Sequence, residues 1–316
     1  MEIKFHKPPI TVSVIMNCLN CSKYLPEAID SVYAQTYKDW EIIFWDNAST
    51  DDSANIAKSY DARLRVFRSN EVVPLGKARN WAIEKASGKY IAFLDCDDRW
   101  LPRKIEKQVH ILESRPDVDF VYSNYFRIIM PRADRLILGL KGKMPEGNVF
   151  ERFLYHYPVN MQTVMIRKKV LEGMDGLFDE TLKLSEEYDF FMRILYRARA
   201  LYINEPLIVY RIHSNMSSLK YIGDFPVELS YIVNKFLTIY PALQGQYPKE
   251  LHYLKAKIAY WRARADMVNG NIRNARLSLR PFKWTGYKFF FLFIMTFLPA
   301  RFWFVAHNLK DKGVIR

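Results

Sequence analysis

Cysteine is scarce in this sequence: three residues, Cys18, Cys21 and Cys96, occur among 316. A fold held by several disulfides needs more, and the count is typical of a reducing cytoplasm. Cys18 and Cys21 form a C-x-x-C pair, but a zinc site of this kind needs a second pair at similar spacing, and the sequence has none. We therefore interpret these thiols as the end of a buried strand, with a metal or redox role as the lesser alternative.

Long apolar runs are also scarce. Residues 1–9 are charged and lack the apolar core of a signal peptide. Residues 288–306 approach the ~20 apolar residues of a membrane-spanning helix only if Pro299 and Arg301 are included. Because the surrounding tail is basic and aromatic, we expect an interfacial segment that contacts a membrane surface. The alternative is a hydrophobic helix that packs on the rest of the fold or on a second subunit.

Acidic residues are outnumbered by basic ones, 34 to 47, which gives a formal net charge of +13. Such an excess attracts nucleic acid, anionic lipid or phosphorylated small molecules without selecting among them. No recognisable nucleic-acid-binding module accompanies the charge, so a basic nucleic-acid-binding protein is an alternative that we do not favour. Half of the residues are hydrophobic, which is ample for a packed core.

The first 113 residues alternate between short apolar strands and amphipathic helices. Strands are predicted at residues 11–16, 41–45, 64–67 and 90–94, and helices at 25–33, 53–60, 77–86 and 102–113. This alternation predicts an α/β fold with a doubly wound, mostly parallel sheet flanked by helices. The sequence from 117 to 211 is mixed, and we expect it to complete the sheet. From about Pro226 the pattern is helical, so we predict one domain at residues 1–220 and a helical C-terminal extension at 221–316.

Acidic side chains follow two of the predicted strands. Asp46 ends the second strand, and Asp95, Asp97 and Asp98 follow the fourth. Ligands of such sheets bind beyond the carboxyl ends of the strands, so these carboxylates are expected at one site. Oxygen ligands there suit Mg²⁺ or Mn²⁺, which would neutralise a diphosphate. Asp46 can accept from a nucleobase N–H, or it can belong to the cap of the helix at Ser53.

Four stretches resemble the glycosyltransferases of family 2. They are residues 11–53 (TVSVIMNCLNCSKYLPEAIDSVYAQTYKDWEIIFWDNASTDDS), 76–104 (GKARNWAIEKASGKYIAFLDCDDRWLPRK), 185–194 (SEEYDFFMRI) and 210–218 (YRIHSNMSS). The resemblance covers about residues 9–218 and is of the bacterial surface-glycan type. It implies a GT-A fold and metal-dependent transfer of a sugar from a nucleoside-diphosphate sugar, with inversion at the anomeric carbon.

The resemblance also implies roles for residues around the nucleotide. Asn17 and Glu27 would lie in or support the nucleotide pocket, and Asp46 would contact the nucleobase. Arg79 would lie near the pyrophosphate or brace the loop of Asp95, which itself would bind the ribose. Where the family usually has Asp-Gly after the first aspartate, this chain has Asn47 and Ala48. Alanine there indicates a turn that needs no positive φ.

The remaining implied roles belong to metal binding and proton transfer. Asp97 would hold the metal, and His213 would be a second metal or phosphate ligand, with a structural hydrogen bond as the alternative. The family's catalytic base is usually the Asp of a Glu-Asp pair, and here Glu187 occupies that position with one extra methylene. Asp189 is expected to be structural.

The expected activity is that of a non-processive hexosyl- or N-acetylhexosaminyltransferase in polysaccharide or lipopolysaccharide biosynthesis. The donor would be a UDP-sugar and the acceptor a lipid-linked sugar or an oligosaccharide, at the cytoplasmic face of the inner membrane, with oligomerisation open. Processive synthases of the family carry a Gln-x-x-Arg-Trp motif, which is missing. A nucleotidyltransferase would need a glycine-rich loop after the first strand, and a degenerate scaffold would not need Asp46, Asp95, Asp97 and Glu187.

Overall fold

The computed structural model describes residues 10–131, 135–214, 216, 222–298 and 303. The chain divides into two compact units. The first comprises Met1–Phe153 with Tyr157–Leu219, and the second comprises Leu154–His156 with Lys220–Arg316.

Nine strands in the described part of the chain form one sheet. They are β1 (Val12–Cys18), β2 (Trp40–Asp46), β3 (Leu64–Arg68), β4 (Tyr90–Phe93), β5 (Arg99–Trp100), β6 (Phe120–Ile129), β7 (Ile137–Leu138), β8 (Met165–Arg167) and β9 (Ala200–Ile212). The strand order is β3-β2-β1-β4-β8-β6-β9-β5, and β7 pairs with β6.

The long strand pairings are parallel. They join β1 to β2 and β4, β2 to β3, and β6 to β9. The antiparallel pairings span two or three residues each and lie in the second half of the sheet. All seven residues of β2 and six of seven in β1 are buried, as expected for central parallel strands covered on both faces. The predicted α/β class is therefore confirmed, and the short strands β5 and β7 are additions that the sequence pattern did not predict.

The helices are α1 (Leu25–Tyr33), α2 (Ser53–Lys58), α3 (Leu75–Glu84), α4 (Lys104–Ser114), α5 (Phe150–Tyr155), α6 (Glu186–Leu195), α7 (Phe225–Ile239), α8 (Leu243–Gln246), α9 (Pro248–Val268), α10 (Ile272–Leu279) and α11 (Tyr287–Met295). In the first unit, α1 has Pro26 in its first turn, where the fixed φ of proline suits a helix. Leu25, Ile29 and Val32 of this helix are fully buried in the sheet core.

The second unit is helical in all of its named elements except short 3₁₀ turns. A separate apolar core joins Ala263 and Met267 of α9, Leu279 of α10, and Leu292 and Met295 of α11. Trp303 also belongs to this core and is 1% exposed. None of the described helices combines the length and the apolar character that crossing a membrane requires.

Candidate active site

Asp46 is the last residue of β2 and is fully buried. Its Oδ1 accepts the Ser49 amide at 3.0 Å, and its Oδ2 lies 2.7 Å from Nη1 of Arg68. Ala48, between them, has φ of 61°, so our expectation that this turn needs no positive φ is wrong. Ala48 adopts this left-handed conformation because its neighbour Asn47 is held in place. Asn47 Nδ2 donates to the Val73 carbonyl, and Asn47 Oδ1 accepts the Val73 amide.

Asn17 lies near the end of β1, beside β2. Its Nδ2 is buried and, within the described residues, has no hydrogen-bond partner. The Asn17 carbonyl accepts the Cys96 thiol at 3.3 Å, so β1 is tied to the loop after β4. An unpartnered buried donor is costly, and a ligand carbonyl or phosphate oxygen would satisfy it.

Three carboxylates converge after β4. One oxygen each of Asp95, Asp97 and Asp98 lies within 4.8 Å of the others. Burial and the charge of Asp95 raise the pKa of Asp97, and burial and both neighbours raise the pKa of Asp98 well above its ordinary value. Asp98 Oδ2 is buried and has no hydrogen-bond partner within the described part of the chain. Three close carboxylates with an orphaned oxygen fit a hard divalent cation, which would offset their repulsion.

A buried arginine links this cluster to α6. Arg79 of α3 donates from Nη1 to Oε1 of Glu186 at 2.6 Å, and its Nη2 lies 3.4 Å from Oδ1 of Asp95. Gln162 Nε2 donates to the other oxygen of Asp95. The orientation of the Asp95 carboxylate is therefore set by two side chains, Arg79 and Gln162.

Arg211 of β9 donates hydrogen bonds to the loop that carries Asp97 and Asp98. Its backbone amide donates to Asp98 Oδ1 at 2.7 Å, and its guanidinium donates to the Asp97 carbonyl and, at 2.5 Å, to Oε2 of Glu27. Glu27, in the first turn of α1, also pairs with Arg99 at 3.0 Å. Glu27 thus lies beside the acidic loop and holds two cations that border it.

His213 follows β9 and lies beside the metal-binding candidates. Its Nε2 is 3.0 Å from Oδ2 of Asp97, and its ring is 5.5 Å from the ring of Tyr24. The imidazole therefore contacts a carboxylate that would hold the cation. This contact is compatible both with a ligand role and with a purely orienting hydrogen bond.

Glu187 lies in the first turn of α6, next to Glu186. Burial and the charge of Glu186 raise the pKa of Glu187 to about 8, although Arg79 and the Met161 amide act in the opposite direction. A general base works best with a pKa near the operating pH, so this carboxylate is suited to accept a proton. Asp189, two residues on, is instead fully buried and pairs with Arg193 at 2.8 Å, as a structural residue does.

Three tyrosines lie close enough to Glu187 for its charge to act on them. The negative charge of Glu187 contributes to the raised pKa values of Tyr125, Tyr157 and Tyr210, after burial as the main cause. The rings of Tyr125 and Tyr210 meet edge to face at 6.4 Å. Half-buried aromatic rings beside a base can stack on a sugar, so this is the side of the site that suits an acceptor.

Five of the eight predicted residues lie at strand ends or in the segments just after them, and three lie in helices: Asn17, Asp46, Asp95, Asp97 and His213 belong to the first group, and Glu27, Arg79 and Glu187 to the second. Sequence reasoning missed three others in contact with them: Arg68, Gln162 and Arg211. Arg211 lies two residues before His213, inside the stretch 210–218 that resembles the family. Its position could therefore have been identified from the sequence. Gln162 lies in a short 3₁₀ turn, Met161–Thr163, that carries no motif.

A mostly parallel sheet with acidic residues at one edge fits a transferase that binds nucleotide sugars. Comparison with known proteins identifies the family. The model of glycosyl transferase family 2 matches residues 13–173. The chain belongs to this family and is a glycosyltransferase, as the sequence motifs predicted.

Two curated proteins show the extent of the similarity in sequence. The UDP-Glc:alpha-D-GlcNAc-diphosphoundecaprenol beta-1,3-glucosyltransferase WfaP of Escherichia coli is 32% identical over 209 residues, which are 66% of this chain and 79% of that protein. A glycosyltransferase of Methanocaldococcus jannaschii is 35% identical over 212 residues, 64% of this chain and 70% of that protein.

Among solved structures, TarS of S. aureus in complex with UDP-GlcNAc is similar, with a TM-score of 0.70. It is 20% identical, and the match covers 87% of this chain and 81% of that one. At this identity the likeness speaks for the fold alone, and it confirms the GT-A class.

Proposed function

We propose that this glycosyltransferase moves a hexosyl or N-acetylhexosaminyl group from a UDP-sugar to a hydroxyl of a lipid-linked sugar or oligosaccharide, with inversion. The observation that carries the proposal is the placement of Glu187, a carboxylate with a pKa of about 8, across Arg79 and Glu186 from the acidic loop of Asp95. Glu187 thus directly follows the residue that Arg79 ties to the acidic loop, and the charges of Arg79 and Asp95 both act on it.

The donor half of the site consists of Asn17, Asp46, Asp95 and Asp97. Asn17 has a spare buried donor, and Asp46 with Arg68 forms a fixed polar pair at the adjacent strand end. Asp97, with Asp95 and Asp98, would hold Mn²⁺ or Mg²⁺. When bound, this cation would neutralise charge on the diphosphate and on its leaving form. UDP is supported by the donor that the name of the E. coli relative gives and by the ligand of the S. aureus structure.

Transfer is proposed as a single displacement. Glu187 takes the proton of the acceptor hydroxyl while that oxygen forms a bond to the anomeric carbon. The bond from this carbon to the diphosphate oxygen breaks, and UDP leaves with the electron pair. One displacement inverts the configuration. Tyr125 and Tyr210 are placed to hold the acceptor ring beside Glu187.

The acceptor proposal rests on a relative and on charge. The name of the E. coli protein specifies a diphosphoundecaprenol-linked acceptor, which is a membrane lipid. The net charge of +13 of this chain favours an anionic diphosphate-linked acceptor and an anionic surface. We therefore place the enzyme at the cytoplasmic face of the inner membrane, as a peripheral protein, in the synthesis of a surface polysaccharide or lipopolysaccharide.

The test is donor binding by thermal shift, with a panel of nucleotide sugars in Mn²⁺, Mg²⁺ or chelator. One UDP-sugar should raise the melting temperature in the presence of metal, and Asp97→Ala should abolish this rise. Asp117→Asn, which changes an exposed acid, should leave it intact. A folded wild-type protein that no nucleotide sugar stabilises would contradict the proposal and favour a degenerate scaffold.

A further inference from the structure

Residues 267–310 of the second unit form a long stretch without acidic residues. Between Asp266 and Asp311 the sequence contains no Asp or Glu, whereas the described part of this stretch carries five cations. These cations are Arg273, Arg276, Arg280, Lys283 and Lys288. A surface made from this stretch therefore has charge of one sign.

Helix α11 is apolar on both of its sides. Its inner side carries Phe289, Leu292 and Met295, which are buried in the core of the second unit. Its outer side continues into the neighbouring turns and is exposed, with Tyr287 at 93% and Phe291 at 56%. We call this outer side the aromatic face; its residues are Trp284, Tyr287, Phe290, Phe291, Ile294, Phe297 and Leu298.

Water-exposed helices normally put polar side chains on the side away from the core. On the aromatic face the exposed positions recur every three or four residues and are all large and apolar. Trp284 is 76% exposed and stacks on Phe290, with ring centroids 5.2 Å apart. A contiguous apolar patch of this kind marks an interaction surface.

Cations border the aromatic face. Lys283 Nζ lies 5.3 Å from the centre of the Trp284 ring, and the Arg276 guanidinium lies 3.8 Å from that of Phe297. Lys288 does not belong to this border, because its Nζ lies 5.2 Å from the centre of the Tyr260 ring, which packs against the core. Aromatic rings that enter the headgroup region beside lysines and arginines are the pattern of interfacial helices.

We infer that the aromatic face and its bordering cations form a docking surface for an anionic lipid bilayer. A second copy of the chain fits less well, because a self-complementary contact would bring the same cations against one another without an acid to pair them. Anionic headgroups supply the missing charge, and the rings gain an apolar environment without a spanning helix.

This inference rests on the proposed function only for its biological purpose, the access to a lipid-linked acceptor. Binding to vesicles is therefore measured with the full chain and without donor or acceptor. Vesicles of phosphatidylcholine alone are compared with vesicles that contain one quarter phosphatidylglycerol. Wild-type protein should co-sediment with the anionic vesicles and lose binding as salt is raised, because lysine–headgroup attraction is screened.

The double variant Trp284→Ser/Phe291→Ser should bind anionic vesicles at least about tenfold more weakly, because it removes two large exposed rings of the aromatic face. The matched control is Val268→Ser/Leu277→Ser, which changes exposed apolar residues of the same unit, 64% and 54% exposed, outside the aromatic face. The charge variant Arg276→Gln/Lys283→Gln should lose about tenfold or more on anionic vesicles and change little on neutral ones.

Several results would overturn the inference. These are absence of vesicle binding, equal binding to neutral and anionic vesicles, or wild-type binding by the aromatic double variant. A dimer in sedimentation velocity that the aromatic variant dissociates, without vesicle binding, would assign the face to self-association instead. Thermal shift with the nucleotide sugar is run on every variant. If donor binding persists while vesicle binding fails, the docking surface is wrong and the proposed function stands.

Discussion

Arg79 and Glu186, 107 residues apart in the chain, form a buried ion pair of 2.6 Å. The same guanidinium reaches Asp95, so one side chain connects α3, the loop after β4 and the first turn of α6. Gly76, one turn earlier in α3, makes this possible, because a side chain there would meet the carbonyl of Asp179 at 2.8 Å. The acidic loop and the first turn of α6, which carries Glu187, are thereby tied to one side chain.

Arg79→Met should leave Glu186 buried without its cation and lower the free energy of unfolding by about 3–5 kcal/mol. The matched change is Arg103→Met, because Arg103 forms an Arg–Glu pair with Glu106 that is exposed, 59% and 42%. That variant should lose less than about 1 kcal/mol. Urea unfolding measures both. If both variants lost the same free energy of unfolding, the buried Arg79–Glu186 pair would contribute no more to stability than an exposed pair does.

Ala48→Gly should stabilise the protein, because Ala48 adopts a left-handed conformation at φ of 61°. Relief of this strain offsets the greater chain entropy of glycine in the unfolded state, and a net gain of about 0.5–1 kcal/mol is expected. Ala57→Gly, at a buried helical position of α2, should instead destabilise by about 1 kcal/mol or more. Chemical denaturation decides the sign, and a loss of stability at Ala48 would disprove the strain argument.

The convergence of the strand ends could be predicted from the sequence, but the side-chain contacts that join them could not. Asp46 and Asp95 come directly after apolar strands, and parallel strands share one carboxyl edge, so their convergence follows from the sequence alone. The contact of Arg211 with Asp98 spans 113 residues and depends on the pairing of β9 with β6, which no local pattern specifies. Ala48 shows a further limit: the clamp of Asn47 on Val73 overrides the local preference of alanine.

His213→Gln tests whether the imidazole serves the metal. Since Nε2 lies 3.0 Å from Asp97 Oδ2, losing the ring should weaken the apparent affinity for Mn²⁺ in the presence of the donor roughly 10–100-fold. Titration of Mn²⁺ into protein with a saturating nucleotide sugar, followed by calorimetry, gives that affinity. His110→Gln changes an exposed histidine of α4 and should have no effect. An unchanged affinity in His213→Gln would leave this residue with a structural role only.

Glu187 sets the pH dependence that the proposed mechanism requires. Its pKa of about 8 means that the fraction of active carboxylate falls tenfold for each pH unit below that value, so kcat/KM should rise with pH and level off above about 8. Glu187→Gln should abolish transfer, and Glu187→Asp should lose about 100-fold because its carboxylate retreats by a methylene. Glu172→Gln, at an exposed glutamate, should keep both the rate and the profile.

The raised pKa of Glu187 also predicts that Glu187→Gln, although inactive, is more stable than the wild type at high pH. Because folding raises the pKa of this carboxyl from 4.5 to about 8, the folded state binds the proton more tightly, and stability falls as pH rises between those values. Glu187→Gln carries no charge to bury, so its melting temperature should match that of wild type near pH 5 and exceed it at pH 9. An inactive variant that is also less stable at pH 9 would mean that Glu187 supports the fold and that the base lies elsewhere.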